Sequence, residues 1–217
     1  MGNRGNSKIQ NILKKVRTLP LFTLDDLASV ETDKAYLRIL FSRHQKSGNV
    51  IRLKKGTYVT REYIHTLEKS GRLSAYLEFL AGVLYTPSYL SGEYVLHQHG
   101  VITELPVVIT AVSTNKTASV SNQFGRFRYQ SMTPALYGGF ETKRDGEFLI
   151  FRASLAKALF DYLYFRKRHL LNSDAIAELR LNLEGMKAGV RRECVALAVR
   201  EGSVRMKTIV KILFKKY

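Results

Sequence analysis

A chain of 217 residues with 35 lysines and arginines against 18 carboxylates has a formal net charge of +17 and a sequence pI near 10.0, a balance that points to a polyanionic partner, nucleic acid first and an anionic membrane surface second. The longest uncharged run, Phe79 to Gly92, is too short to span a bilayer and contains Pro87, and the polar start, Met1 to Gln10, lacks the apolar core of a signal peptide. The single cysteine, Cys194, excludes an intramolecular disulfide and a multi-cysteine zinc site and fits a reducing cytoplasm; with no Gly-rich phosphate loop of P-loop or dinucleotide type in the sequence, no cofactor is expected, and no membrane either.

Ile9, Ile12, Leu13 and Val16 recur at helical spacing, which predicts a short helix from Ser7 to Arg17, closed off by Pro20. Thr23 precedes Leu24, Asp25 and Asp26; a hydroxyl followed three residues later by a carboxylate resembles a capping box. Leu24, Leu27 and Ala28 give this second short helix its buried side. Thr32 and Asp33 open a third helix running to about Lys46, with an apolar stripe of Leu37, Leu40, Phe41 and His44 and a stop at Gly48 and Asn49. The β-rich runs Asn49 to Leu53 and Thr57 to Thr60 join across Lys54, Lys55 and Gly56 as a hairpin with a basic tip. Helix, helix, turn, helix, hairpin is the order of a winged helix-turn-helix.

The polar stretch over residues 61–72 is expected to hold the domain boundary, dividing the chain into a winged helix-turn-helix over 1–68 and a second domain over 69–217. There, Ser74 to Tyr85 reads as an apolar helix broken by Pro87, and Ser91 to Gly100 as another. Val107 to Ser113, Ala118 to Val120, Gly125 to Gln130 and Glu147 to Arg152 read as strands, and the chain is helical from Ala153 onward with breaks near Asn172, Gly185 and Gly202. The expected class is α+β, with a small, mostly antiparallel sheet and a helical C-terminal part. Charge is unevenly spread: residues 1–70 hold 14 basic and 6 acidic side chains, 71–152 hold 7 and 6, and 153–217 hold 14 and 6.

On the third helix Lys34, Arg38, Ser42 and Gln45 share the side away from the apolar stripe. These side-chain types read base edges in a major groove, Arg or Lys on guanine, Gln on adenine, Ser on either. Arg43 and Lys46 flank that face within reach of phosphates, and Arg52, Lys54 and Lys55 place charge on the wing. Lys14, Lys15 and Arg17 either add phosphate contacts or are simply solvated. His97 and His99, two apart, lack a third metal ligand nearby in sequence. Glu141-Thr142-Lys143 has the Glu-x-Lys spacing of a metal-dependent restriction-type nuclease, but no Asp lies between Lys34 and Arg144, so Glu93 or Glu104 has to stand in for the upstream ligand. Cys194 sits in an apolar helical stretch as a small buried residue. Ser203 to Tyr217 is a basic amphipathic helix, either packed on the second domain with its cations suiting the helix dipole or a surface for an acidic partner or further DNA.

The stretches Tyr89-Leu90-Ser91 through His99-Gly100-Val101-Ile102, Pro106 to Thr110, Phe124-Gly125 with Phe127-Arg128-Tyr129, Gly139-Phe140, and Arg152-Ala153-Ser154 with Lys157-Ala158-Leu159-Phe160-Asp161 together resemble the AbiEi family of bacterial antitoxins and related transcriptional regulators. The resemblance covers roughly residues 8–170. It implies a non-enzymatic, two-domain regulator of the type IV toxin–antitoxin class, whose winged helix represses the promoter of its own operon on double-stranded DNA. Its second domain would counteract a nucleotidyltransferase-like toxin encoded alongside. Stand-alone regulators share this architecture. The chain departs from the family pattern at Leu155-Ala156, where relatives commonly carry Pro-Glu before the lysine.

Overall fold

The computed structural model describes residues 3–215 and shows a mixed α+β fold with two sheets. By internal contacts the chain forms two compact units, Met1–Leu77 with Ser121–Phe124, and Glu78–Val120 with Gly125–Tyr217.

The first unit opens with α1 (Asn3–Val16), whose Ile12 and Val16 are buried; the side chain of Ile9 lies outside the described residues. β1 (Phe22–Thr23) follows. The second helix expected after Thr23 is a single 3-10 turn, Asp25–Leu27. The expected capping box forms only in part: the Thr23 N–H and hydroxyl both donate to Asp26 Oδ2, at 2.6 and 2.9 Å, while the N-cap residue is Leu24, without a side-chain cap. Thr23 pairs with Thr57 in the sheet, and the chain after it makes the i→i+3 bonds of a 3-10 turn, Leu27 N–H to the Leu24 carbonyl at 3.2 Å and Ala28 N–H to the Asp25 carbonyl at 3.1 Å. The next helix, α2 (Lys34–Lys46), starts where Asp33 Oδ1 accepts the N–H groups of Ala35 and Tyr36, satisfying two of the donors a helix start leaves open. β2 (Val50–Lys54) and β3 (Thr57–Thr60) form the hairpin, turned by Gly56 at φ +77°, where a side chain would be strained. The three strands run β1-β3-β2, all antiparallel. Ile12, Val16, Phe22, Leu27, Leu37, Leu40, Phe41 and Val50 make the core; the Phe22 and Phe41 rings lie 5.2 Å apart and Phe41 stacks on Tyr58 at 5.4 Å.

The polar stretch expected to hold the domain boundary is largely a helix, α3 (Arg61–Lys69), capped by Thr60 and burying Tyr63, Ile64 and Leu67. Its charges occupy the other side, so composition hid an amphipathic element. The unit boundary accordingly falls later than residue 68, within α4 (Leu73–Leu84). Tyr76 remains with the first unit, donating its hydroxyl to the Pro20 carbonyl at 2.8 Å.

The second unit adds β4 (Ser88–Leu90), α5 (Glu93–Gln98), β5 (Val108–Ser113), β6 (Ala118–Asn122), β7 (Gly125–Ser131), β8 (Phe140–Asp145) and β9 (Phe148–Ala153). The sheet order is β6-β7-β5-β4-β9-β8. It is larger than expected and mixed rather than mostly antiparallel: β5 runs parallel to β7 and β4 parallel to β9, while β4–β5 and β8–β9 are antiparallel. β6 folds back onto the far side of β7, which leaves β7 free to lie parallel against β5. The helical part comprises α6 (Leu155–Arg166), α7 (Ser173–Ala177), α8 (Ala188–Glu201) and α9 (Val204–Phe214), with breaks where Asn172, Gly185 and Gly202 were expected to place them. α6 is buried continuously from Ala156 to Leu163. Among the described residues no helix is long and apolar enough to cross a membrane.

Candidate nucleic-acid interface

Burial of Leu37, Leu40 and Phe41, with His44 half-buried, turns the rest of α2 outward. Helical geometry then sets the order of the exposed side chains around the axis. Ala35, Ile39, Ser42 and Lys46 lie opposite the core, Arg38 and Arg43 flank them, and all six are exposed. The face expected at Lys34, Arg38, Ser42 and Gln45 is one flank of this surface. Lys34 is drawn back toward the 3-10 turn, its Nζ 2.5 Å from Asp25 Oδ1. Gln45 faces the hairpin and lines a cleft of about 520 Å³ with Arg52, Lys54 and Lys55. Ile39, 56 % exposed, was missed by sequence reasoning, although its offset from the Leu37-Leu40-Phe41 stripe was the available signal. An exposed isoleucine between two arginines suits contact with a thymine methyl group. The sequence of α2 contains no carboxylate.

Arg52 and Lys55 are exposed on the hairpin and Lys54 is half-buried; Arg52 Nε donates to the Lys54 carbonyl at 3.4 Å. On α1, Lys15 donates to Ser29 Oγ, and Arg17 lies 4.0 Å from Glu62 Oε1, just past the helix end. Lys14 is exposed.

The remaining candidates fall in the second unit. Glu141 and Lys143 stand exposed on β8, an edge strand, in a run of four exposed residues from Glu141 to Arg144; charge there discourages pairing with another strand. Glu93, a possible companion ligand, is held by Arg166 and, at 3.4 Å, by Arg128. Among the described residues no three His, Cys, Asp or Glu side chains gather to hold a metal. His97 Nδ1 lies 3.2 Å from the Ile102 carbonyl, in hydrogen-bonding range, and His99 is exposed. Cys194 is fully buried, and burial, with the nearby charges of Glu193 and Asp161, pushes its thiol up to about 12, so it remains a thiol at neutral pH. In α9, Met206, Ile209 and Val210 are buried while Arg205, Lys207, Lys211 and Lys215 are exposed; Lys216 and Tyr217 lie outside the described residues.

Two stretches far apart in the chain, Tyr89-Leu90-Ser91 and Lys157 to Asp161, meet in one buried network. Lys157 Nζ lies 2.6 Å from Asp161 Oδ1, and both side chains are fully buried. Nζ also donates to the Leu136 carbonyl at 2.9 Å and approaches Met132 Sδ at 3.4 Å, while Asp161 Oδ2 accepts from Ser91 at 2.7 Å and Tyr89 at 3.0 Å. Burial pushes the lysine below and the aspartate above its ordinary range, with the attraction between them working the other way. Gly139, at φ +69°, lets the lysine stem pass; a Cβ there would stand 3.1 Å from Lys157 Cγ. Arg152 pairs with Glu78 and Ser154 caps α6 by accepting the Lys157 N–H at 3.1 Å. Lys157, Asp161, Tyr89 and Ser91 are closed to solvent, while Arg152 and Ser154 are partly exposed.

No protein-family model matches the chain, and no curated protein matches it.

Proposed function

We propose that the first unit is a winged helix-turn-helix that lays α2 in the major groove of double-stranded DNA with the β2–β3 hairpin as its wing, and that the protein regulates transcription. The observation that carries this is the outward surface of α2: Arg38, Ile39, Ser42, Arg43 and Lys46 exposed together, without a carboxylate on the helix, beside a hairpin that presents Arg52 and Lys55. Arg38 and Ser42 are assigned to base edges, Ile39 to a thymine methyl, and Arg43, Lys46, Arg52 and Lys55 to phosphates. The AbiEi-like pattern extends the reading: a cytoplasmic antitoxin of a type IV pair that represses its own promoter and opposes a nucleotidyltransferase-like toxin.

Binding of a duplex from the protein's own upstream region, followed by fluorescence anisotropy at several salt concentrations, tests the DNA reading. Affinity is expected to fall with salt with a log–log slope of about −0.9 per phosphate neutralised. Arg38→Ala should cost about 1–3 kcal/mol on that duplex and far less on a random one; a flat salt response, or equal losses on both duplexes, refutes the assignment. Relief by this chain of growth arrest caused by a neighbouring nucleotidyltransferase gene tests the antitoxin role, and absence of relief assigns the protein to transcriptional regulation alone.

A further inference from the structure

The end of β6 and the turn into β7, Ser121–Phe124, belong to the first unit although the residues on both sides belong to the second. Asn122 secures it. Its Nδ2 donates to the Leu53 carbonyl of β2 at 3.1 Å, and its Oδ1 accepts the Phe124 N–H at 2.9 Å. The Phe124 ring meets the Tyr76 ring edge-on, 6.1 Å between centroids. With Asn122 occupied in this way, the exposed tip of the turn is Gln123, whose amide makes no hydrogen bond among the described residues.

The turn walls one side of the cleft of about 520 Å³ described above; Gln45, Arg52, Lys55 and Arg61 contribute to the other sides, and among the described residues no carboxylate lines it. Arg61 Nε reaches the Gly48 carbonyl at 3.4 Å, which anchors its guanidinium at the rim. Cations placed around one open cleft repel each other until an anion lies between them. A neutral amide aimed into the same space supplies directional donors to such an anion without adding repulsion.

We propose that this cleft takes a phosphodiester stretch of the DNA backbone, with the Gln123 amide donating to a phosphate oxygen, so that the β6–β7 turn is a DNA contact beside the wing. The proposal rests on the reading of α2 as a groove-binding helix and adds a contact which that reading does not require. Phosphate contacts of this kind fix register and orientation rather than sequence.

Gln123→Glu and Gln123→Lys are close in size to glutamine and lie on an exposed tip, so both variants should fold, as unchanged circular dichroism will show. On the upstream duplex, Gln123→Glu is expected to weaken binding by about tenfold through loss of a hydrogen bond to a charged oxygen and repulsion of the phosphate. Gln123→Lys should tighten it and steepen the salt slope by about one. Both variants binding within about twofold of the wild type, while Arg38→Ala still loses discrimination, overturns the proposal and leaves the α2 reading standing. A wild-type chain without duplex affinity removes both. If millimolar inorganic pyrophosphate raises the melting temperature, Gln123→Glu abolishes that rise, and duplex binding is unchanged, the cleft serves a free phosphate ligand instead and the DNA assignment falls.

Discussion

Replacing Asp161 by alanine removes one carboxylate that accepts three hydrogen bonds, from Lys157 at 2.6 Å, Ser91 at 2.7 Å and Tyr89 at 3.0 Å. The lysine ammonium would remain fully buried beside the Leu136 carbonyl, the Met132 sulfur and the faces of the Phe160 and Tyr89 rings, with no carboxylate to balance it, and two buried hydroxyls would lose their acceptor. Breaking a buried ion pair from one side costs about 3–5 kcal/mol, so Asp161→Ala should destabilise the second unit by about that much. The double variant Lys157→Met/Asp161→Leu removes both charges and fills the space with apolar groups. Such replacements range from neutral to stabilising; the two stranded hydroxyls, at about 1–3 kcal/mol each, burden the single and the double variant alike and cancel in the comparison. The double variant should therefore be more stable than Asp161→Ala alone. Urea unfolding followed by circular dichroism, compared at equal m-value, measures both. A single-variant loss below about 1 kcal/mol, or a double variant less stable than the single, refutes the view that charge burial rather than packing dominates this network.

Two further outcomes follow from local geometry. Asp33→Ala removes the acceptor for the first N–H groups of α2 and should cost about 1 kcal/mol of first-unit stability, while Asp33→Asn, which keeps the acceptor, should cost little; equal losses rule out a capping role. Glu201 is pushed up by burial, but hydrogen bonds from Lys167 and from the Ser203 hydroxyl and N–H, with the Lys167 charge, outweigh this and hold its carboxyl below the ordinary 4.5. A carboxylate with a lowered folded pKa contributes stability above its unfolded pKa and loses it as pH falls through the folded value. The acid limb below about pH 4.5 should thus flatten in Glu201→Gln, and an unchanged limb in a urea titration at pH 3–5 removes the Lys167–Glu201 clip from the account.

The elements that were legible in the amino-acid sequence are those whose signal is local. The Leu37-Leu40-Phe41 stripe, the Asp33 start and the Lys54-Lys55-Gly56 turn each combine a periodicity with a conformational demand, and each appears within a residue or two of where it was expected. α3 was hidden because Tyr63, Ile64 and Leu67 are embedded among charges, so average polarity masked their shared side. β1, β4 and β8 were missed for other reasons. The first two span two and three residues, too few for alternation to show, and β8 is exposed along Glu141 to Arg144, so it has little apolar pattern. Parallel pairing of β5 with β7 is set by which strands become neighbours in space, which strand-level patterning does not encode. The same holds at the candidate site. Arg38 and Ser42 follow from helix spacing, whereas Gln123 enters only because a turn far along the chain is hydrogen-bonded to Leu53.

That turn also bears on how the protein is made. The backbone passes between the two units three times, after Leu77, before Ser121 and after Phe124. On a ribosome the N-terminal module therefore emerges long before its last piece. Its helices and hairpin can assemble first, but the Leu53 carbonyl receives the Asn122 amide only once β6 and β7 have left the exit tunnel. A fragment cut at Leu77 would carry α2 and the hairpin without that piece, so the unit as it stands in the fold is not a contiguous stretch of sequence.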